Sequence, residues 1–315
     1  MKRWLLTLTA ALPALTAVAQ PHTELRPTET VFLYASKAEA KKCADAVIGH
    51  KRSFAGYEIQ TSNGLLGEEI LPEDGNLANI TNLARIDLYF PEGGASEMVV
   101  ICPGGAYIFV SSYNEGVYTA ESLTRNGIAA AVVKYRLPNG HHEVPLEDVQ
   151  NALRYCRSHA AMWGIQKLGI MGFSAGGHLA ATASNLFTDA ETRPDFSVLI
   201  YPVISLDDAI THKLSKESIL GPRKDLKDSL SLETRITENT PPTFIALSAD
   251  DSGVNPENSL RYFQALLRSG IPSQMYIYPT GGHGWGFTTN EYGSDAIASY
   301  REEFFTALYR FLKSQ

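Results

Sequence analysis

The chain has 315 residues, 44% of them hydrophobic and 19% charged, with a net charge of −7 at pH 7. That length is enough to bury one sizeable core, and the composition excludes disordered and collagenous classes. The acidic balance argues against a nucleic-acid partner, which calls for a basic field, and weakly against acidic substrates.

The first segment reads as an address. Met1-Lys2-Arg3 is a short basic start, residues 4–18 are almost wholly apolar or small, and Ala17-Val18-Ala19 fits an A-x-A cleavage site. Residues 1–19 are therefore expected to be a signal peptide, with Gln20 the first mature residue and the product periplasmic or secreted. The run is too short to span a bilayer comfortably and Pro13 interrupts it; no later segment reads as a membrane span. Residues 20–84 are expected to form an N-terminal extension. Within it 35–48 has helical character, and Gly64, Gly67 and the stretch from Pro72 to Asn76 mark turns.

A regular alternation then begins. Residues 84–90 alternate as a strand, and 98–102 form a short apolar run suited to a strand buried on both faces. A helix is expected over 113–125, ended by Asn126-Gly127. A strand over 128–135, a helix over 145–163, a strand over 167–172 and a small-residue helix over 175–186 come next. After them come strands over 196–201 and 243–248, a helix over 256–269, a strand over 274–278 and a closing helix over 295–313. This order predicts an α/β fold: a mainly parallel central sheet with helices on both faces, over 85–315. The stretch at about 205–240 breaks the rhythm. It is polar and carries Gly221-Pro222, as an insertion over the carboxyl edge of the sheet would, and that edge is where open α/β sheets bind ligands.

The sharpest motif is Gly172-Phe173-Ser174-Ala175-Gly176, between an apolar strand and a helix. G-x-S-x-G is the strand-to-helix elbow that lifts a serine hydroxyl out of the sheet, so Ser174 is the candidate nucleophile. A hydroxyl is a poor nucleophile at neutral pH and needs a base. Three histidines follow. His178 lies on the elbow helix and is expected to be packed or capping. His212 lies in the polar insertion and is expected to be solvated. His283 sits among glycines after the last strand, in a loop suited to reach back, and is the candidate base. Its orienter should follow the preceding strand, where Asp250 and Asp251 both qualify. Asp251 is preferred because Asp251-Ser252-Gly253-Val254 has the D-x-x-V spacing of an acid loop.

Acyl transfer also needs N–H donors where the oxyanion develops. Ala175 should give one. Cys102-Pro103-Gly104-Gly105-Ala106-Tyr107 occupies the loop after an early strand, making Gly105 and Ala106 the further candidates, with Gly104 an alternative. Tyr107 and Trp285 flank these motifs as candidate substrate walls, with core packing the competing reading. Arg136 and Asp148 are a candidate internal ion pair. The odd count of three cysteines, Cys43, Cys102 and Cys156, is no disulfide framework, and the latter two suit buried positions. His141-His142 has no carboxylate or thiol cluster beside it, so no metal site and no cofactor is expected.

Together these segments resemble the small carbohydrate-acting serine esterases of the α/β-hydrolase superfamily, in particular the acetyl-xylan esterase and feruloyl-esterase group of gut Bacteroidetes. The likeness rests on Cys102 to Tyr107, Asp148 to Trp163 with Gly164, Gly169 to Ala180, Pro194 to Phe196, Pro241 to Phe244, Ala249 to Asp251 with Pro256 to Ser259, and Tyr278 to Gly284. Coverage runs from about Arg85 to the C-terminus. One departure is that Val254-Asn255-Pro256 stands where the group carries V-P before E-N-S, which leaves Asp250 and Asp251 both open. The resemblance implies a cofactor-free serine carboxylesterase acting on an acylated polysaccharide or oligosaccharide, with acetyl on xylan the leading substrate. Feruloyl or general short-chain ester hydrolysis is the alternative. A non-catalytic binding protein of the same fold is the third reading, disfavoured by the presence of Ser174, Asp251 and His283.

Overall fold

The computed structural model describes residues 25–34, 71, 75–77, 84–290 and 293–315. The expected signal peptide, the helical stretch at 35–48, Gly64, Gly67 and Cys43 lie outside the described residues.

The apolar runs assemble into one eight-stranded sheet. Its strands in chain order are β1 (Glu29–Phe32), β3 (Arg85–Tyr89), β4 (Glu97–Cys102), β6 (Ala129–Lys134), β7 (Lys167–Phe173), β8 (Ser197–Ile200), β9 (Thr243–Ser248) and β10 (Ser273–Tyr278). Across the sheet they run β1-β3-β6-β4-β7-β8-β9-β10. β1 pairs antiparallel with β3, and β3 antiparallel with β6; every other pairing is parallel. The central strand β4 has no exposed residue from Met98 to Cys102, because helices cover both faces of the sheet. Two two-residue strands, β2 (Asn76–Leu77) and β5 (Val110–Ser111), pair antiparallel outside this sheet.

The helices are α1 (Tyr118–Arg125), α2 (Glu143–Trp163), α3 (Ser174–Asn185), α4 (Lys213–Leu220), α5 (Glu257–Arg268) and α6 (Arg301–Lys313). α2 stops at Gly164, whose φ of 75° closes a left-handed C-cap. α1 begins as a π-helical turn, Tyr113–Val117. α6 starts six residues later than the sequence periodicity suggests. Asp295 accepts from Arg301 instead of sitting inside the helix, and a 3₁₀ turn at Ala298–Tyr300 leads in.

Two regions differ from the sequence expectation in detail. β1 is short and largely exposed, with too little alternation to be recognised, yet it forms the sheet edge. The polar stretch at 205–240 is built around α4 and two 3₁₀ turns, and is pinned from below. Buried Asn258 on α5 accepts the N–H groups of Ile204 and Ser205 through Oδ1 and donates to the Ile210 carbonyl through Nδ2. Cys102 and Cys156 are buried free thiols, with burial pushing Cys156 up to about 12. Arg136 and Asp148 form the expected ion pair, with both side chains fully buried.

Candidate active site

The carboxyl ends of β7, β9 and β10 bring the motif residues together. β7 ends at Phe173, and Ser174 takes a φ of 50°, a conformation that is uncommon for any residue but glycine. The turn is tight enough to demand glycines around it. A Cβ on Gly176 would lie 2.1 Å from the Cys102 carbonyl oxygen, and one on Gly172 would lie 2.2 Å from the Gly176 oxygen. The elbow is thereby pressed against the end of β4, and Ser174 Oγ turns to the carboxyl edge.

His283 Nε2 lies 2.8 Å from Ser174 Oγ, and His283 Nδ1 lies 2.7 Å from Asp251 Oδ2. With a carboxylate on Nδ1, that nitrogen carries the proton and Nε2 is left to accept from the serine hydroxyl. Asp251 is itself held: its Oδ1 accepts the N–H groups of Gly253 at 2.9 Å and Val254 at 2.8 Å. Asp250 does a different job, accepting the Gly282 N–H at 2.8 Å and tying the histidine loop to the acid loop. The choice the sequence left open is therefore a division of labour, with Asp251 on the imidazole and Asp250 on the loop backbone.

Gly105, Ala106 and Tyr107 have φ values of 125°, 53° and 63°, so the loop after β4 is curled into an unusual backbone. Gly105 and Ala106 line the same pocket as Ser174, and among the described residues their N–H groups have no hydrogen-bond partner. Ala175 lies in the first turn of α3, where N–H groups have no intrahelical acceptor. Gly104 is different: its N–H donates to Glu115 Oε2 at 2.7 Å and is already used.

The two aromatic candidates are corrected by the structure, because neither lines this pocket. Tyr107 is 1% exposed, turned inward onto His178 Nδ1 at 2.9 Å and against the Tyr135 ring. Trp285 is 3% exposed, donating to Ser248 Oγ and packed edge-on against Tyr201 and Phe304. In both cases the adjoining backbone faces the site and the ring fills the core. His178 is buried as expected, between Tyr107 and the Leu230 carbonyl, and burial pushes its pKa down to about 4. His212, expected in solvent, is half-buried at the start of α4, with Nδ1 2.8 Å from Ser215 Oγ, and it lines the pocket. Burial pushes its pKa down, and the neighbouring His283 adds to that.

The pocket over Ser174 encloses about 400 Å³. Its wall includes Asn76, Phe109, Ser111, Asn114, Glu115, His212 and Thr288. None of these was singled out as a wall residue from sequence. Glu115 carries the one signal that was available: it falls one helical turn ahead of buried Tyr118 and Thr119, on an inward face where a charge is unexpected. Its side chain is buried, with Tyr201 donating to Oε1 at 2.8 Å, and burial pushes its carboxyl above the usual range. Among the described residues, no group of three or more His, Cys, Asp or Glu is arranged to hold a metal ion. No helix among them is long and apolar enough to cross a membrane.

A mostly parallel sheet carrying a serine elbow at a strand end, with the acid and the histidine on later loops, is the α/β-hydrolase fold. Residues 86–266, more than half of the chain, match the BD-FAE family, and the chain belongs to that family. An acetylxylan esterase of Xylanibacter ruminicola is 39% identical over 216 residues, which are 65% of this chain and 44% of that protein. Endo-1,4-beta-xylanase B of Butyrivibrio fibrisolvens is 34% identical over 216 residues, 63% of this chain and 34% of that protein. The chain thus spans less than half the length of these two curated relatives. Among solved structures, an acetyl ester-xyloside bifunctional hydrolase from Caldicellulosiruptor lactoaceticus aligns with a TM-score of 0.66 at 26% identity, covering 93% of this chain and 98% of that one. A sugar hydrolase from Lactococcus lactis aligns with a TM-score of 0.67 at 27% identity, covering 75% of this chain and 95% of that one.

Proposed function

We propose that this chain is a carboxylic ester hydrolase that removes short acyl groups, acetyl first, from xylan-type plant polysaccharide, with Ser174 as nucleophile, His283 as base and Asp251 as its orienter. The observation that carries this reading is the continuous hydrogen-bonded chain Asp251–His283–Ser174 at the bottom of an open pocket. Ser174 Oγ attacks the acyl carbon while its proton passes to His283 Nε2, and Asp251 stabilises the resulting imidazolium. The carbonyl oxygen becomes an oxyanion, stabilised by the N–H groups of Gly105, Ala106 and Ala175. Collapse breaks the ester C–O bond, and the sugar oxygen leaves with the proton from His283. Water, deprotonated by the same imidazole, then hydrolyses the acyl-serine and restores the hydroxyl.

The substrate class is supported by the likeness to an acetylxylan esterase and by the wall, where Asn76, Ser111 and His212 supply polar groups suited to sugar hydroxyls. The basic start, apolar run and A-x-A site at 1–19 support export, which N-terminal sequencing of the mature protein tests by its start at Gln20. The function is tested by acetate and ferulate release from acetylated xylan and feruloylated arabinoxylan, with Ser174→Ala as control. Acetate release that disappears in the control is the expected result. Ferulate release alone would replace the acyl group, and acetate release that survives in the control would overturn the mechanism.

A further inference from the structure

The proposed chemistry leaves one buried acid in the pocket without a task. Glu115 is 4% exposed and sits in the π-helical turn Tyr113–Val117, a distortion often found at functional sites. Its two oxygens are split between two loops. Oε2 accepts the N–H of Gly104, immediately before the proposed oxyanion donors Gly105 and Ala106, at 2.7 Å. Oε1 accepts the hydroxyl of Tyr201 at 2.8 Å.

Tyr201 passes the connection on. It follows β8 with a φ of 36°, its oxygen accepts the Gly286 N–H at 2.8 Å, and its ring stands edge-on to His283 with centroids 4.9 Å apart. The neighbouring Asn114 grips the same loop from another side. Its Nδ2 donates to the Gly284 carbonyl at 2.8 Å, and its Oδ1 accepts from the Thr288 N–H. Gly284 directly follows His283, and Gly284 and Gly286 bracket Trp285. One turn of backbone therefore holds the loop that would bind the oxyanion and the loop that carries the base.

We infer that Glu115 is a positioning residue for the reaction proposed above, fixing the oxyanion loop through Gly104 and the histidine loop through Tyr201. The inference rests on that reading of the function. A carboxylate suits this place because both of its partners donate. Glutamine offers one acceptor oxygen and one amide, so either the Gly104 N–H meets another donor or the Tyr201 hydroxyl loses its acceptor. Burying a charge is unfavourable, and burial does push this carboxyl up; the Tyr201 and Gly104 hydrogen bonds oppose that shift. Placing an acid there at that cost is reasonable where two loops must be held to within a fraction of an ångström, since small misplacements in an active site are expensive in rate.

The experiment compares wild type, Glu115→Gln and Tyr201→Phe in p-nitrophenyl acetate turnover, and in inhibition by a small alkyl boronic acid that adds to serine as a tetrahedral anion. Thermal midpoints monitor folding. For Glu115→Gln, kcat should fall roughly 10- to 100-fold with KM changed by less than about threefold, and boronate affinity should fall in parallel. Tyr201→Phe keeps the acid but removes its link to the histidine loop, and should lower kcat by a smaller factor, roughly three- to tenfold. A folded Glu115→Gln with wild-type kcat, or a loss confined to KM with boronate affinity unchanged, would overturn the inference. Should Glu115→Gln not fold, a wild-type kcat in Tyr201→Phe would overturn it equally. Wild-type protein without any turnover would instead refute the functional reading itself.

Discussion

Glu115 and Asp148 are both buried acids, and their surroundings differ. Asp148 faces a cation: it accepts from Arg136 Nε at 3.0 Å, from Arg136 Nη2 at 2.6 Å and from the Arg136 backbone N–H at 2.7 Å. Tyr34 adds its hydroxyl to Asp148 at 2.8 Å and its ring lies under the guanidinium, while Glu147 also reaches Arg136. This cluster ties the N-terminal segment to α2 and the end of β6, and it lines no part of the pocket over Ser174. Glu115 is held instead by a neutral hydroxyl and a backbone N–H, at the edge of that pocket. A buried acid with a full set of partners and a counter-ion is explained by scaffolding. One kept on neutral donors beside a nucleophile calls for another reason.

The comparison separates variants that should lose rate from variants that should lose stability. The largest effect is expected at the site itself. Ser174→Ala should reduce p-nitrophenyl acetate turnover by about 10⁴-fold or more, with denaturation unchanged. On the scaffold side, Asp148→Asn leaves the Arg136 charge buried and only partly answered by Glu147. It should cost about 3–5 kcal/mol in urea unfolding and leave the kcat of the folded fraction near wild type. A fall in kcat of the folded fraction there would erase the distinction between the two acids.

His178 lies under the site but belongs with the scaffold. Its folded pKa is pushed down to about 4 by burial, against about 6.5 for free imidazole. Between those values the unfolded chain binds the extra proton, so its contribution is complete above pH 6.5 and is lost as pH falls towards 4, by up to about 3 kcal/mol. Unfolding free energies measured at pH 7 and 4.5 should show this loss, and His178→Gln should flatten it. The smallest effect is expected at Trp285. Trp285→Phe loses the bond to Ser248 and should cost about 1 kcal/mol of stability without moving KM on an acetylated xylo-oligosaccharide. A raised KM would mean that the ring faces substrate after all.

Much of the fold was legible because the parallel strands are short continuous apolar runs punctuated by turn residues. The elbow and the His283 loop were legible for a related reason: their chemistry is packed into a few consecutive residues. Ser174 needs glycines within two residues on each side, and His283 sits in its own glycine run. The walls were not legible. Asn76, the Ser111–Asn114 stretch, His212 and Thr288 come from four separate segments, and only the tertiary path brings them to one pocket. Tyr107 and Trp285 were ambiguous because adjacency to a motif fixes where the backbone goes and not which way the ring turns. The choice between Asp250 and Asp251 turned on one-residue differences in loop direction, which spacing does not determine. β1 escaped notice because an exposed edge strand carries little apolar signal.

The most direct test of the account is covalent trapping. A fluorophosphonate added to wild-type protein, followed by peptide mass spectrometry, should give one adduct per chain on Ser174, and His283→Gln should slow its formation by orders of magnitude. An adduct on another residue, or esterase activity that persists with Ser174 unmodified, would contradict the assignment of the nucleophile and everything built on it.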